Sequence, residues 1–299
     1  MRGSGTFVAR PERPPREVTR NIGVITTYLD EYVFPSLIQG IESVLTRHDY
    51  TMSLGVTHNR VQNEARTLAH MNLSGFDGLI VEGTRSALPN PNLPFYRDLA
   101  RQGIPVVFVN GHYGAECPQY VVMDDRAAGE LACSTLLKHG HKKIAAVFKA
   151  DDMQGKERYL GYCDAMNKAG LSVAAQPVVW YTTEDFEKLF SGGMDGALLK
   201  GVGGCTAALC YNDQAAVRLI ALLKRNNRKV PKDLSIASFD NSSLAKKNVY
   251  DLTSVVYPGQ KIGEEAAGML LRCIETGKPA EGIKIPPVIK LRGSVKKLG

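Results

Sequence analysis

The sequence predicts an α/β fold built from two doubly wound parallel sheets, and three observations carry that expectation. Short β-branched runs alternate with longer segments of helical period from residue 21 onward. The runs are bounded by Gly, Pro or Asp, as strands buried between helical layers are. They are also too numerous for one comfortable open sheet, and the series splits near Val121–Asp125.

The elements follow in order. Ile22–Thr27 is predicted as a strand and Val33–His48 as a helix, with Phe34, Leu37, Ile38, Ile41 and Leu45 on one stripe. Strand Thr51–Thr57, helix Arg60–Leu73, strand Gly78–Val81, a helix over Asn92–Arg101 and strand Pro105–Val109 complete the first half. The second half reads as helix 125–139, strand Lys143–Phe148, helix 153–169, strand 177–181 and helix 183–190. Strand Ala207–Tyr211, helix Asp213–Arg225, strand Leu234–Phe239, strand Thr253–Tyr257, helix 259–275 and an extended tail from Ile283 follow. Gly201–Thr206 reads as a loop, and Pro11–Arg16 (PERPPR) as an exposed linker that joins neither sheet nor helix. In doubly wound sheets ligands gather at the carboxyl ends of the strands, so two facing sheets imply one cleft between them.

The 299 residues carry a formal charge of +7, which invites a nucleic-acid reading. The charge is terminal: residues 1–20 carry +3, residues 284–299 carry +5, and the span between is close to neutral at −1. No apolar run approaches the roughly 20 residues that cross a bilayer, so no membrane association is expected. The Arg/Pro-rich start has no apolar core of a secretory signal. Six cysteines (117, 133, 163, 205, 210 and 273) lack CxxC spacing, which suggests reduced thiols in a cytoplasmic protein.

Several segments, in order along the chain, resemble the effector-binding domain of LacI/GalR-type repressors and the related periplasmic sugar-binding proteins. They are Ile22–Ile25, Phe34–Ile41, Phe76–Ile80, Gly103–Val107, Asp124, Gly140-His141 and Arg158-x-x-Gly161. Thr206-Ala207 leading to Asn212-Asp213, Pro231-x-Asp233 through Ser238–Asp240, Leu252–Val255 and Arg292–Ser294 continue the series. Residues 1–9 (MRGSGTFVA) resemble something else, the wing hairpin of a GntR-type winged helix-turn-helix. That pairing resembles arabinose-repressor-like regulators, as do Thr26–Tyr28, Tyr32-x-Phe34-Pro35, Phe148–Asp152 with Gln154-Gly155, Thr182–Glu184 and Cys210–Asp213.

The resemblance implies a type I periplasmic-binding-protein-like fold. Residues 1–9 would be a remnant of the wing and 10–20 a linker. Residues 21–122 plus 259–285 would form one subdomain, and 123–258 plus 286–299 the other. It implies a sugar-responsive repressor, a homodimer whose effector is a monosaccharide, L-arabinose foremost, reaching operator DNA only through a reader that would precede residue 1. A periplasmic-type sugar-binding protein of a transporter is the alternative.

A monosaccharide presents hydroxyls that donate and accept together, plus apolar C–H faces. Its site needs carboxylates or amide oxygens, cationic or amide donors, and an aromatic wall. The strand ends supply these types. Arg158 matches the family arginine that grips sugar hydroxyls, although a surface salt bridge is its plain alternative. Asn212 follows one strand, Asp240 another, Glu82 a third and Asn110 a fourth; Lys149 and Gln154 flank Arg158. Asp213 reads equally as a helix N-cap, Asp240 as a turn residue, and Glu82 with Lys149 as a structural ion pair. Tyr32, Phe34, Trp180 and Tyr257 are the wall candidates, against the commoner use of aromatics as core.

His112, His139 and His141 lack metal-ligand spacing, and His139-Gly140 reads as a helix end, so no metal is expected. No phosphate-cradling glycine loop, nucleophile elbow or nucleophile–base pair appears, so neither a cofactor nor an enzymatic activity is expected.

Overall fold

The computed structural model describes residues 18–29, 33–246 and 250–298. Residues 1–9, read above as a wing, and most of the linker lie outside that set, as does Tyr32.

Twelve strands among the described residues form two six-stranded sheets. The first has the order β11-β5-β4-β3-β1-β2, with β1 Asn21–Thr26, β2 Thr51–Val56, β3 Gly78–Glu82, β4 Val106–Val109, β5 Tyr120–Met123 and β11 Ile283–Ile285. The second runs β12-β10-β9-β8-β6-β7, with β6 Ile144–Lys149, β7 Val178–Tyr181, β8 Ala207–Cys210, β9 Ser235–Asp240, β10 Thr253–Val256 and β12 Ile289–Lys290. All pairings are parallel except β10 with β12. The chain passes from one sheet to the other three times, after β5, after β10 and after β11.

Strand periodicity explains why each sheet is covered on both faces. In the first sheet Ile22, Val24, Ile80, Val107 and Val109 meet helices α1 (Phe34–Arg47) and α9 (Gly259–Thr276). The intervening Ile25, Leu79, Val81 and Phe108 meet α2 (Val61–Ser74) and α3 (Leu93–Arg101). Alternate side chains leave a strand on opposite faces, so an unbroken apolar run such as Leu79–Val81 needs two helical layers. The second sheet is enclosed in the same way by α4 (Asp125–Lys138), α5 (Met153–Lys168), α6 (Phe186–Ser191), α7 (Asp195–Gly203) and α8 (Asp213–Arg225).

Two helix pairs approach backbone to backbone through glycine. A Cβ on Gly129 of α4 would collide with the Arg158 carbonyl oxygen of α5, and one on Gly161 with the Arg126 carbonyl oxygen. Gly40 of α1 and Gly263 of α9 make the reciprocal approach in the other lobe, against Gln260 and Leu37 carbonyls. The α4–α5 approach is what brings Arg158 up to the N-terminus of α4.

Two elements differ from expectation. Val121–Asp125 is the split, yet its first half is strand β5, pinned between β4 and β11. The expected loop at Gly201–Thr206 is helical through Gly203: α7 forms despite three glycines because Leu198 and Val202, one turn apart, are fully buried. Tertiary burial overrides the weak propensity there.

Gly129→Ala is expected to destabilise the fold by about 1–3 kcal/mol, since a rigid carbonyl meets the added methyl. Gly268→Ala, whose methyl would meet only the mobile end of Arg272, is expected to stabilise by up to about 1 kcal/mol. Urea unfolding of both variants measures the contrast, and equal midpoints would show that the helix pair can spread.

Candidate functional site

The carboxyl ends of both sheets face each other across a cavity of about 200 Å³. Helices start there too, and two are capped by lining residues: Asp152 accepts from Gly155 N, and Asn212 from Ala215 N.

On the first-sheet side the polar groups form a chain. Glu82, the last residue of β3, accepts from Thr27 N at 2.7 Å and Thr27 Oγ1 at 2.6 Å. Its other oxygen accepts from Asn110 Nδ2 at 2.9 Å. Asn110 Oδ1 in turn accepts from Tyr257 OH at 2.8 Å. Tyr257 stands just after β10, where the chain crosses between sheets, so this network joins the first lobe to a crossing segment. Burial pushes the Glu82 carboxyl up from its ordinary value, while the Thr27 and Asn110 bonds and the Lys149 charge pull it back.

On the second-sheet side the centre is Arg158, which is 1% exposed. Its Nε donates to Asp125 Oδ1 at 2.8 Å and its Nη1 to the Tyr211 carbonyl at 2.7 Å, with Asp240 Oδ1 at 3.9 Å. The guanidinium lies over the rings of Phe239 and Tyr211, 4.6 and 5.0 Å from their centroids. Burial works against its charge, but Asp125 and Asp240 more than offset this and hold it protonated. Asp125 is pushed up to about 6 by burial, against the pull of Arg158. Asp240 adopts φ +99°, a sparsely populated conformation for a non-glycine residue, where β9 turns out of the sheet. Lys149 Nζ sits 3.0 Å from Asp152 Oδ2, which also accepts from Tyr211 OH at 2.7 Å. Asp152, together with Asp151 at 3.8 Å, keeps the buried ammonium charged despite desolvation.

Nine of the residues singled out in the sequence line this cavity: Phe34, Glu82, Asn110, Lys149, Gln154, Arg158, Asn212, Asp240 and Tyr257. Asn212 does so while also serving as the N-cap of α8.

Two expectations need correction. Asp213 does not line the cavity and is not the cap. Its carboxylate turns into the second lobe, accepting from Ser238 Oγ, Ser254 Oγ, Ser242 N and Ser242 Oγ at 2.5–2.8 Å. It thereby clasps β9, β10 and the turn after β9. Trp180 is 40% exposed and packs edge-on against Tyr159 on the far side of β7, centroids 4.9 Å apart. One residue of strand periodicity separates it from Tyr181, which lines the cavity instead.

Sequence reasoning missed Thr27, Asn59, Ser86, Asp152, Tyr181, Thr183 and Tyr211, which also line the cavity. Thr27, Tyr181 and Tyr211 end or directly follow strands, the same signal that found Glu82. Asn59 and Ser86 sit in connections whose path nothing local dictates.

The histidines serve elsewhere. His139 caps α4, its ring nitrogen 2.8 Å from the Thr135 carbonyl, and His141 joins Thr206 Oγ1 to the Lys296 carbonyl, at 3.0 Å each. Among the described residues no helix is long and apolar enough to cross a membrane.

The chain is similar in sequence and fold to known proteins. Residues 133–295 match the family model of the periplasmic binding protein-like domain. The arabinose metabolism transcriptional repressor of Halalkalibacterium halodurans is 36% identical over 91% of this chain and 74% of its own length. The repressor of the same description from Geobacillus stearothermophilus is also 36% identical, over 92% and 76%. The transcription regulator CcpA of Lactococcus lactis superposes with a TM-score of 0.80, at 25% identity, covering 94% of this chain and all of that one.

The Asp125–Arg158 pair sets a pH dependence. With its folded pKa raised from 3.8 to about 6, Asp125 binds more protons in the folded than in the unfolded chain between those values. Its contribution to stability is therefore full below the unfolded value and is lost as pH rises through about 6. Carbon NMR of the Asp125 carboxyl is expected to titrate near 6. In Arg158→Met the midpoint is expected to move higher, with about 3–5 kcal/mol of stability lost near neutral pH because the carboxylate is left buried and unpaired. A wild-type midpoint at the ordinary Asp value would remove the burial argument.

Proposed function

The chain belongs to the periplasmic binding protein-like family of sugar-responsive transcriptional repressors, and we propose that its effector is L-arabinose, held in the cavity between the two sheets. One observation carries the choice of a small neutral polyol. The cavity, at about 200 Å³, is smaller than the roughly 300–1,000 Å³ of drug-sized sites and is lined by interleaved donors and acceptors. Its carboxylates already face cations or amides across short distances, so a neutral ligand keeps the balance where a charged one would upset it. The 36% identity to two arabinose metabolism repressors supports the pentose among polyols of that size.

In this reading the Arg158 guanidinium, Lys149 and the amides of Asn110, Asn212 and Gln154 donate to sugar hydroxyls, while Glu82 and Asp240 accept. A carboxylate has about four acceptor sites, and protein donors occupy three on Glu82, which leaves one for the ligand. Phe34, Tyr211 and Tyr257 cover the C–H faces of the ring. The protein performs no chemistry on the sugar. Binding favours the arrangement in which residues 21–122 plus 259–285 and residues 123–258 plus 286–299 close on the ligand. The response of the repressor is then limited by how much better the closed form binds than the open one. A homodimer in the cytoplasm, carrying winged helices to which residues 1–9 bear their resemblance, would turn that closure into a change at the operator.

Calorimetric titration with L-arabinose, D-ribose, D-xylose and D-galactose tests the assignment. L-arabinose is expected to bind tightest, and at a hundred times its Kd to raise unfolding stability by about 2.7 kcal/mol. Glu82→Gln is expected to weaken binding by about 1–3 kcal/mol, since the site loses an acceptor and keeps its donors. Tighter binding of another sugar would transfer the assignment to that sugar.

A further inference from the structure

One group of contacts spans the cleft. Asn59, in the connection from β2 to α2, stands on the first lobe at φ +52° and is 2% exposed. Its Oδ1 accepts from Arg85 N at 2.8 Å, and Arg85 Nε donates to its carbonyl at 3.2 Å, which fixes the amide within its own lobe. The Nδ2 end then reaches the second lobe. It donates to Thr183 Oγ1 at 2.7 Å and lies 3.4 Å from Asp151 Oδ2. Asp151, 1% exposed, also accepts from Thr183 N at 3.1 Å and Thr183 Oγ1 at 2.7 Å.

Two further bonds cross at the same side. Ser86 Oγ accepts from Met153 N at 2.9 Å. That N–H opens α5 and has no carbonyl of its own helix to serve, so the opposite lobe satisfies it. Arg85 pairs with Glu184, but this pair is partly exposed and contributes little. The weight rests on the buried Asn59 amide, the Asp151 Oδ2 oxygen and the Thr183 hydroxyl, which pair in a place where unpaired polar groups are costly.

We propose that Asn59, Asp151 and Thr183 form a closure clamp that sets the affinity of the cavity, whose wall Asn59 and Thr183 help to form, by holding the two lobes together. This rests on the reading of the cavity as a sugar site. Asn59 belongs to the first lobe and Asp151 and Thr183 to the second, so opening the cleft separates Asn59 from the other two and closing it restores the contact. Their free energy adds to closure whatever sugar is present. Lys149 connects clamp and cavity, because its ammonium lies 3.0 Å from Asp152 at the cavity and 3.8 Å from Asp151 in the clamp. Asp151 is thus a positioning residue.

A double-mutant cycle with Asn59→Ala and Thr183→Val in the full chain tests the clamp, read by L-arabinose titration and by the radius of gyration of the ligand-free chain in solution scattering. Each single variant is expected to weaken L-arabinose binding about tenfold and the double variant by about the same factor, because the Asn59–Thr183 bond across the cleft is lost in all three. The ratio of L-arabinose to D-ribose affinity stays at the wild-type value. Ser86→Ala, a milder change, is expected to move affinity the same way by a smaller factor. A hundredfold, additive loss, or a changed sugar ratio, would make these residues direct ligand contacts and overturn the proposal. So would affinity and radius that are both unchanged in every variant. If the wild-type chain binds none of the pentoses, the sugar reading fails by itself. The ligand-free radius then decides, with expansion in the variants supporting the clamp and no expansion overturning it.

Discussion

A guanidinium taken out of water at the end of a parallel sheet has to be neutralised on several sides, and the second lobe is arranged around that need. Arg158 meets Asp125 at the start of α4, the Tyr211 carbonyl at the end of β8 and Asp240 at the end of β9. Two rings, Tyr211 and Phe239, lie against its face. Each partner comes from a different element, so the charge ties the helix pair α4–α5 to the central strands. The glycines at 129 and 161 belong to the same arrangement, because only their absent side chains let α5 come close enough to deliver the arginine. Removing one partner would leave the others with an uncompensated buried charge, which is costlier than never having had the pair.

The first lobe solves a similar problem with fewer charges. Glu82 is buried at the end of β3 and is stabilised by a hydroxyl, a backbone amide and a side-chain amide, with its cation supplied from across the cleft by Lys149. The two lobes therefore depend on each other electrostatically. The side bearing the excess of carboxylates and cations is rigidly braced, while the other presents amides and hydroxyls. A polyol offers groups that suit both sides, and this complementarity is a stronger guide to the ligand than the +7 formal charge, which sits at the chain termini.

Much of this was legible in the sequence where local chemistry repeats a rule. Runs such as Gly78–Val81 and Leu234–Phe239 announce buried strands, and polar residues at their carboxyl ends announce the cleft. Glu82, Lys149, Asn110, Asp240 and Tyr257 line the cavity because they end or directly follow strands, whereas Phe34, Gln154 and Arg158 reach it from the first turns of α1 and α5. The misses came from facts no local rule contains. Trp180 and Tyr181 are neighbours of the same chemical type, and which of them faces the cavity depends on the register of β7 against β6. Asn212 and Asp213 are both good caps; the choice fell to Asn212 because three serines from β9, β10 and the turn after β9 converge on Asp213.

The sequence by itself determined the α/β class, the alternation of elements and the residue types at the strand ends, since these follow from side-chain periodicity and backbone preference within short windows. Only the tertiary structure decided which of those side chains meet. Asn59 and Thr183 lie 124 residues apart, and Tyr257 reaches Asn110 across 147. The physical reason is that a contact across the cleft is set by how two separately packed sheets are placed against each other, and that geometry is the sum of all the packing beneath it.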